Sequence, residues 1–166
     1  RHLSRQAKSA TTGFEHDAVG FNYAMPGLNA ALGLSQLQTL KERIQKKREL
    51  YQFYQECFTE IEEIEVLSVQ NEEYYTNYWL TVIRFTGSNL TKNPERFQAF
   101  LAEKGIESRF PWKPLHLQEI YDEQHYFGAQ HAESLWKTGL CLPSGCGLTK
   151  EDLNRIQQAI NAYFSA

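Results

Sequence analysis

Two segments of this chain concentrate residues that do chemistry. The first reads His16-Asp17-Ala18-Val19-Gly20-Phe21-Asn22-Tyr23-Ala24-Met25-Pro26-Gly27-Leu28-Asn29-Ala30-Ala31-Leu32-Gly33, with three glycines, two asparagines and a helix start in eighteen residues. Glycine lets a backbone approach another group closely, and a helix N-terminus presents free N–H groups to an anion. Asn22, just ahead of that start, is placed to donate to a phosphate. The same residues have a plainer use, in which Asn22 caps a turn and Gly27 and Gly33 admit a neighbouring helix. The second segment reads Ile106-Glu107-Ser108-Arg109-Phe110-Pro111-Trp112-Lys113-Pro114-Leu115-His116-Leu117-Gln118. Arg109 offers a forked donor to a carboxylate, Trp112 a stacking face, and His116 a group that titrates near neutral pH. Together they suit an anionic, sugar-bearing ligand. Their plainer use is a core anchor at Trp112, a surface ion pair at Arg109 and a satisfied loop residue at His116. A third set, Cys141 and Cys146 with His116, has the residue types of a Cys–His nucleophile. Cys141 lies in an apolar stretch where thiols are normally inert packing, and packing is the reading adopted.

Composition bounds what these segments serve. The 166 residues are 42% hydrophobic and 22% charged, so the chain is expected to fold. A chain of this length buries about two thirds of the surface its unfolded form exposes. Lys+Arg 17 against Asp+Glu 20 leaves a net charge of -3 with no basic block, which argues against a nucleic-acid module. No apolar run approaches the ~20 residues of a membrane span, and no charged-then-apolar leader is visible. The three cysteines form no C-x-x-C pair, so a reducing, cytoplasmic setting is expected rather than a disulfide framework. The five histidines have no zinc-ligand spacing, and no metal site is expected. The chain opens Arg1-His2-Leu3-Ser4 and its one methionine, Met25, lies inside the first motif, so a piece of a longer protein is expected.

The elements that must position these residues follow from periodicity. The polar first twenty residues carry a turn at Thr11-Thr12-Gly13. Pro26 suits the first position of a helix, and apolar residues from Leu28 to Ile61 recur at three- to four-residue steps. One continuous helix of ~50 Å at 1.5 Å per residue is expected, running out of one body into another. Residues 77–85 are aromatic and β-branched and read as a strand ended by Gly87. Asn93-Pro94 caps and opens a helix with Phe97, Phe100 and Leu101 on its apolar face, closed by Gly105. Residues 106–110 read as a second strand and residues 110–118 as a proline-stiffened loop. A helix carrying Ala129, Ala132, Leu135 and Trp136 ends at Gly139, and Leu140-Cys141-Leu142 forms a third strand before a turn at Pro143-Ser144-Gly145. The last helix starts at Thr149 with Asp152 three residues on, and buries Leu153, Ile156, Ile160 and Tyr163. The fold class is therefore a small α/β or α+β body with a long helix and a polar arm outside it.

The stretch from Gly20 to Gly33, followed by Gln36-Leu37, resembles the G-[YF]-N-Y-R-M-…-A-A-x-G-x-x-Q-L segment of the DegT/DnrJ/StrS-type sugar aminotransferases. Trp112-Lys113-Pro114-Leu115-His116-Leu117-Gln118 and Gly139-Leu140-Cys141-Leu142-Pro143-Ser144-Gly145 are similar to the distal part of that family. The resemblance implies the C-terminal part of a fold-type-I pyridoxal-phosphate transferase: a long interdomain helix, then a small domain with a short, mostly antiparallel sheet flanked by helices. Residues 1–45 would end the large cofactor-binding domain, and residues 46–166 would form the small domain. It implies amino transfer, usually from glutamate, to a nucleotide-linked 4-keto-6-deoxy sugar in a homodimer, with pyridoxal 5'-phosphate as cofactor. Asn22 matches an asparagine that reaches the cofactor phosphate across the dimer interface. Tyr23, Arg109, Trp112 and His116 fall on the substrate side. The Schiff-base lysine belongs to an upstream segment resembling S-F-x-x-x-K, which Lys8 does not match, so the chain alone is expected to be inactive. Two departures stand out: Ala24 replaces the usual arginine, and Phe110-Pro111 replaces a proline-first order. The competing expectation is a self-standing, non-catalytic interaction module that dimerises through the long helix.

Overall fold

A computed structural model describes residues 1–10, 15–69, 71, 73–87, 92–121 and 123–165; the turn expected at Thr11-Thr12-Gly13 lies outside them. The chain divides into two compact units, Arg1–Lys41 and Glu42–Ala166. In the first, the arm is held by backbone pairing. Gln6 N–H donates to the Phe21 carbonyl (2.9 Å), Phe21 N–H to Leu3 (2.7 Å) and Tyr23 N–H to Ser4 (3.0 Å). Isolated bridges join Arg5 to Asn22 and Lys8 to His16. Gly20 is required here: a Cβ would stand 2.3 Å from the Gln6 carbonyl carbon and 2.4 Å from the Ala7 nitrogen.

Helix α1 (Gly27–Gln38) follows, with Pro26 as its N-cap rather than its first residue, and it buries none of its side chains. The expected single helix is in fact two, because Thr39 interrupts it. The Thr39 hydroxyl and N–H both donate to the Gln36 carbonyl, each at 3.2 Å, a local bond that competes with the helical ladder. Helix α2 (Leu40–Phe58) then buries Leu50, Tyr51, Tyr54, Cys57 and Phe58. The buried stripe therefore belongs to its second half alone.

The second unit is built on a three-stranded antiparallel sheet in the order β1-β2-β3, comprising β1 (Ile64–Val66), β2 (Val82–Phe85) and β3 (Gly139–Cys141). Ile64 pairs with Phe85, and Val82 with Cys141. β1 was not expected from a stretch dominated by glutamates. Its pairing accounts for it: Glu65 stands opposite Arg84 and binds it at 2.5 Å, while Ile64 turns into the core. β2 is shorter than expected. The side chains of Thr76 and Asn77 accept the N–H groups of Tyr78 (3.2 Å) and Trp79 (3.0 Å), and Tyr78 takes a left-handed φ of 46°. Those local bonds turn the backbone before a ladder can form. Residues 106–110 likewise form no strand, only a bridge from Arg109 to Cys141. Pro111, which has no N–H to donate, follows directly.

Helix α3 (Pro94–Glu103) starts as expected, with the Asn93 side chain accepting from Arg96 N–H at 2.9 Å, and Gly105 follows it at φ 68°. Helix α4 (His131–Thr138) is shorter than expected and leaves Ala129 outside. Helix α5 (Lys150–Phe164) carries the expected reciprocal cap between Thr149 and Asp152. Tyr54, Ile83, Phe97, Leu101, Leu140 and Ile160 are fully buried and form the centre of the core.

The α5 cap supplies a measurable prediction. Thr149→Ala should cost about 1 kcal/mol in urea unfolding. The backbone N–H and then the hydroxyl of Thr149 hold the Asp152 carboxyl below its ordinary range. A depressed folded pKa stabilises above the unfolded pKa, so this contribution should fade as pH falls below the ordinary carboxylate range. Asp152→Asn should flatten that acid limb.

Candidate functional site

The site in the second unit is assembled from irregular segments that α2 holds in place. Lys47 Nζ donates to the Trp79 carbonyl at 2.9 Å and also to the Ser144 carbonyl. Arg48 donates to the Thr76 carbonyl at 2.7 Å and lies over the Tyr75 ring, 4.3 Å from its centroid. Tyr78 stacks on Tyr51 with centroids 3.7 Å apart. The buried Tyr54 hydroxyl donates to the Pro143 carbonyl at 2.8 Å, and burial pushes its phenol pKa far up, so it stays a donor. The Ser144 hydroxyl accepts the Thr81 N–H at 2.9 Å and donates to Leu142 at 2.8 Å.

These segments border a cavity of about 520 Å³ whose lining includes Trp79, Arg109, Trp112, Cys141 and Arg155. That volume is in the usual range for a small-molecule site. Trp79 and Trp112 are 62% and 69% exposed and face each other with centroids 5.8 Å apart and planes at 21°. Trp112 is thus no core anchor. Arg109 binds Glu107 Oε1 through Nη2 (2.6 Å) and Nε (2.9 Å), and both side chains are largely in water. Such a pair contributes little to stability and is readily exchanged for another anion. Arg155 sits 3.9 Å from Asp152.

Of the expected second-segment residues, the cavity gathers Arg109 and Trp112 but not His116. His116 is half-buried: its ring stacks on Tyr126 at 3.7 Å and 18°, and its Nε2 lies 3.2 Å from Glu133 on α4. Lys137 Nζ approaches the other Glu133 oxygen at 3.6 Å. The partners of His116 are therefore Tyr126 and Glu133, not a thiol. Cys141 is buried and its thiol is pushed up by that burial, while Cys146 Sγ lies 3.7 Å from the Arg43 carbonyl. The packing reading of the cysteines agrees with this geometry. Among the described residues no cluster of three or more His, Cys, Asp or Glu could hold a metal ion, and no helix is long and apolar enough to cross a membrane.

In the first unit, Asn22 and Tyr23 are both exposed, and Tyr23 stacks on Phe21 at 5.1 Å. The α1 N-terminus has no side-chain cap. An exposed carboxamide and uncapped helix N–H groups are a donor set that fits a phosphate group. Sequence reasoning missed Trp79 and Arg155 as site residues. The Thr76 and Asn77 side chains were the local signal for Trp79, because they favour turns over strands.

The DegT/DnrJ/EryC1/StrS aminotransferase family model matches residues 1–161, and the chain belongs to that family. It is 29% identical over 99% of its length to EpsN of Bacillus subtilis (strain 168), which is named as a pyridoxal phosphate-dependent aminotransferase. It is equally 29% identical over 99% of its length to the GDP-perosamine synthase of Escherichia coli O157:H7. The chain spans 42% and 43% of these two relatives. Its fold is that of the aminotransferase TlmJ from Streptoalloteichus hindustanus (TM-score 0.83, 22% identity, 99% of this chain and 43% of that one). It also matches Helicobacter pylori PseC, an aminotransferase involved in the biosynthesis of pseudoaminic acid (TM-score 0.81, 20% identity, 99% and 44%). Pyridoxal phosphate is the cofactor of this family.

A double-mutant cycle of His116→Ala and Glu133→Ala should return a coupling of ~1 kcal/mol. Each single change should speed amide exchange in residues 113–121 well before it alters global unfolding.

Proposed function

We propose that the chain is the C-terminal portion of a pyridoxal-phosphate aminotransferase that aminates a nucleotide-linked 4-keto-6-deoxy sugar, with glutamate as amino donor. The observation that carries this reading is the family match over residues 1–161, on a chain that spans well under half of its relatives. Residues 1–45 then end the large domain and begin the interdomain helix, and residues 46–166 are the small domain. The setting is the cytoplasm, the assembly a homodimer, and the role polysaccharide biosynthesis.

When bound, pyridoxal phosphate supplies the electron sink through which an amino group is moved. The chain's own residues bind and orient. The Asn22 carboxamide donates to the phosphate of the cofactor held by the other subunit. Arg109 accepts a carboxylate or diphosphate by releasing Glu107, an exchange that costs little because the pair is in water. His116 holds the loop of residues 112–118 against α4 through Glu133, which sets where Trp112 stands on the substrate side. Tyr23 offers an exposed ring and hydroxyl to the substrate. Ala24 removes the charged contact that the family's arginine would make. The lysine that carries the cofactor lies upstream in this reading, so the 166-residue chain alone does not turn over.

The test is borohydride reduction of the purified chain with pyridoxal phosphate, followed by peptide mass spectrometry. No single lysine should be stoichiometrically modified, whereas a longer protein that supplies the upstream lysine segment should be modified at one site and aminate a keto sugar. A specific, stoichiometric adduct on the chain alone would overturn the reading. The reading also concerns association. Leu28, Leu32 and Leu37 on α1 are 81%, 61% and 64% exposed, and apolar surface of that kind marks an interface. Sedimentation should show self-association that weakens when Leu28 and Leu32 are changed to Glu.

A further inference from the structure

The cavity beside Trp79 has a composition that says more than its size. Unit two buries the rings of Tyr54, Phe58, Phe85 and Phe97, yet leaves Trp79 and Trp112 mostly in water at the mouth of one cavity. The backbone that presents Trp79 is costly to build. Tyr78, directly before it, sits at φ 46°, a left-handed conformation unfavourable for a bulky side chain. Three anchors hold that arrangement: Lys47 on the Trp79 carbonyl, the Asn77 side chain on the Trp79 N–H, and Tyr51 under the Tyr78 ring. Trp112 is fixed differently, between Pro111 and Pro114. The two indoles thus stack on each other with near-parallel planes and leave most of their remaining surface in water. Charge narrows the ligand. Arg109 and Arg155 line the cavity, but so do Glu107 and Asp152, so the lining is balanced overall. A balanced, aromatic-walled cavity selects a flat, neutral, hydrogen-bonding ring over a bare polyanion.

We infer that Trp79 and Trp112 form the stacking platform for the heteroaromatic base of a nucleotide. This rests on the proposed nucleotide-sugar substrate and assigns the base to this cavity of the small domain. Base–indole stacking contributes about 1–3 kcal/mol per base and tolerates different bases. The phosphates leave the balanced cavity at its mouth, where Arg109 can exchange Glu107 for them.

The experiment uses the 166-residue chain and the indole N–H signals of its three tryptophans. Uridine diphosphate and guanosine diphosphate are titrated in parallel with ribose 5-phosphate and inorganic pyrophosphate, which carry no base. The signals of Trp79 and Trp112 should shift saturably with the two nucleotides and not with the other two probes, while Trp136, outside the cavity, stays still. Trp112→Ala should weaken nucleotide affinity about tenfold, and Trp112→Phe should restore most of it. Trp79→Ala should act alike, with Trp112 as the independent check if that variant unfolds. Shifts produced equally by pyrophosphate, shifts confined to Trp136, or an affinity indifferent to Trp112→Ala would each overturn the assignment. So would silence of all three signals. A longer protein that aminates a nucleotide sugar with a KM unchanged by Trp112→Ala sinks this inference and leaves the proposed function standing. Nucleotide binding here, without amination by the longer protein, does the reverse.

Discussion

Beyond the bond from Leu142 N–H to the Thr81 carbonyl (2.9 Å), the backbone before β2 and after β3 leaves the ladder, and carbonyls near the core without donors are costly. Helix α2 resolves that cost with three side chains. Lys47 bridges the Trp79 and Ser144 carbonyls, Tyr54 reaches Pro143, and Arg48 reaches Thr76. A bond from a charged donor contributes roughly 1.5–3 kcal/mol where a neutral one gives about 1. The two cationic donors are therefore the stronger members of the set. Because Lys47 serves both segments at once, their separation is fixed by the reach of one ammonium group. The sheet and the cavity beside it inherit that spacing.

This arrangement explains why the second half of α2 is apolar on one face while its middle, residues 46–49, is wholly charged. The charges are not a solvated gap in an otherwise buried stripe. Lys46 pairs with Glu42 along the exposed side at 3.0 Å, while Lys47 and Arg48 turn to loop carbonyls. Adjacent residues on a helix point in different directions, so one charged run serves solvent and fold together.

What the sequence made legible is local chemistry. The Asn93-Pro94 start of α3, the glycine after its end and the Thr149–Asp152 cap each need only residues within a few positions, and each is found as read. The family motifs are of the same kind, being contiguous runs. The misreadings share a different cause. β1 exists because Glu65 finds Arg84 nineteen positions away, and Trp79 is displayed because a lysine 32 positions earlier holds its carbonyl. The break at Thr39 was local but concealed, since an apolar period continues across it. Among the expected site residues, Arg109 and Trp112 share a cavity because they lie in one short loop. That His116 turns instead to Glu133 depends on where α4 docks. Loop sequence marks the site, but non-local contacts decide which loop residues face it.

The two units also differ in what stabilises them. Among the described residues, Ala7 is the one buried hydrophobic residue of the first unit, and the rest of the buried core belongs to the second. Order in the first unit is carried by backbone pairing and by the tight approach of Gly20 to Gln6 and Ala7. Hydrogen bonds of that kind contribute about 1 kcal/mol each in water, against a comparable entropic cost for every residue they fix. Without apolar burial the balance is close to even. A helix such as α1, only 12 residues long and with no buried side chain, is likewise marginal by itself. The leucines of α1 thus add no burial to the first unit, whereas the second unit holds a packed core beside its cavity.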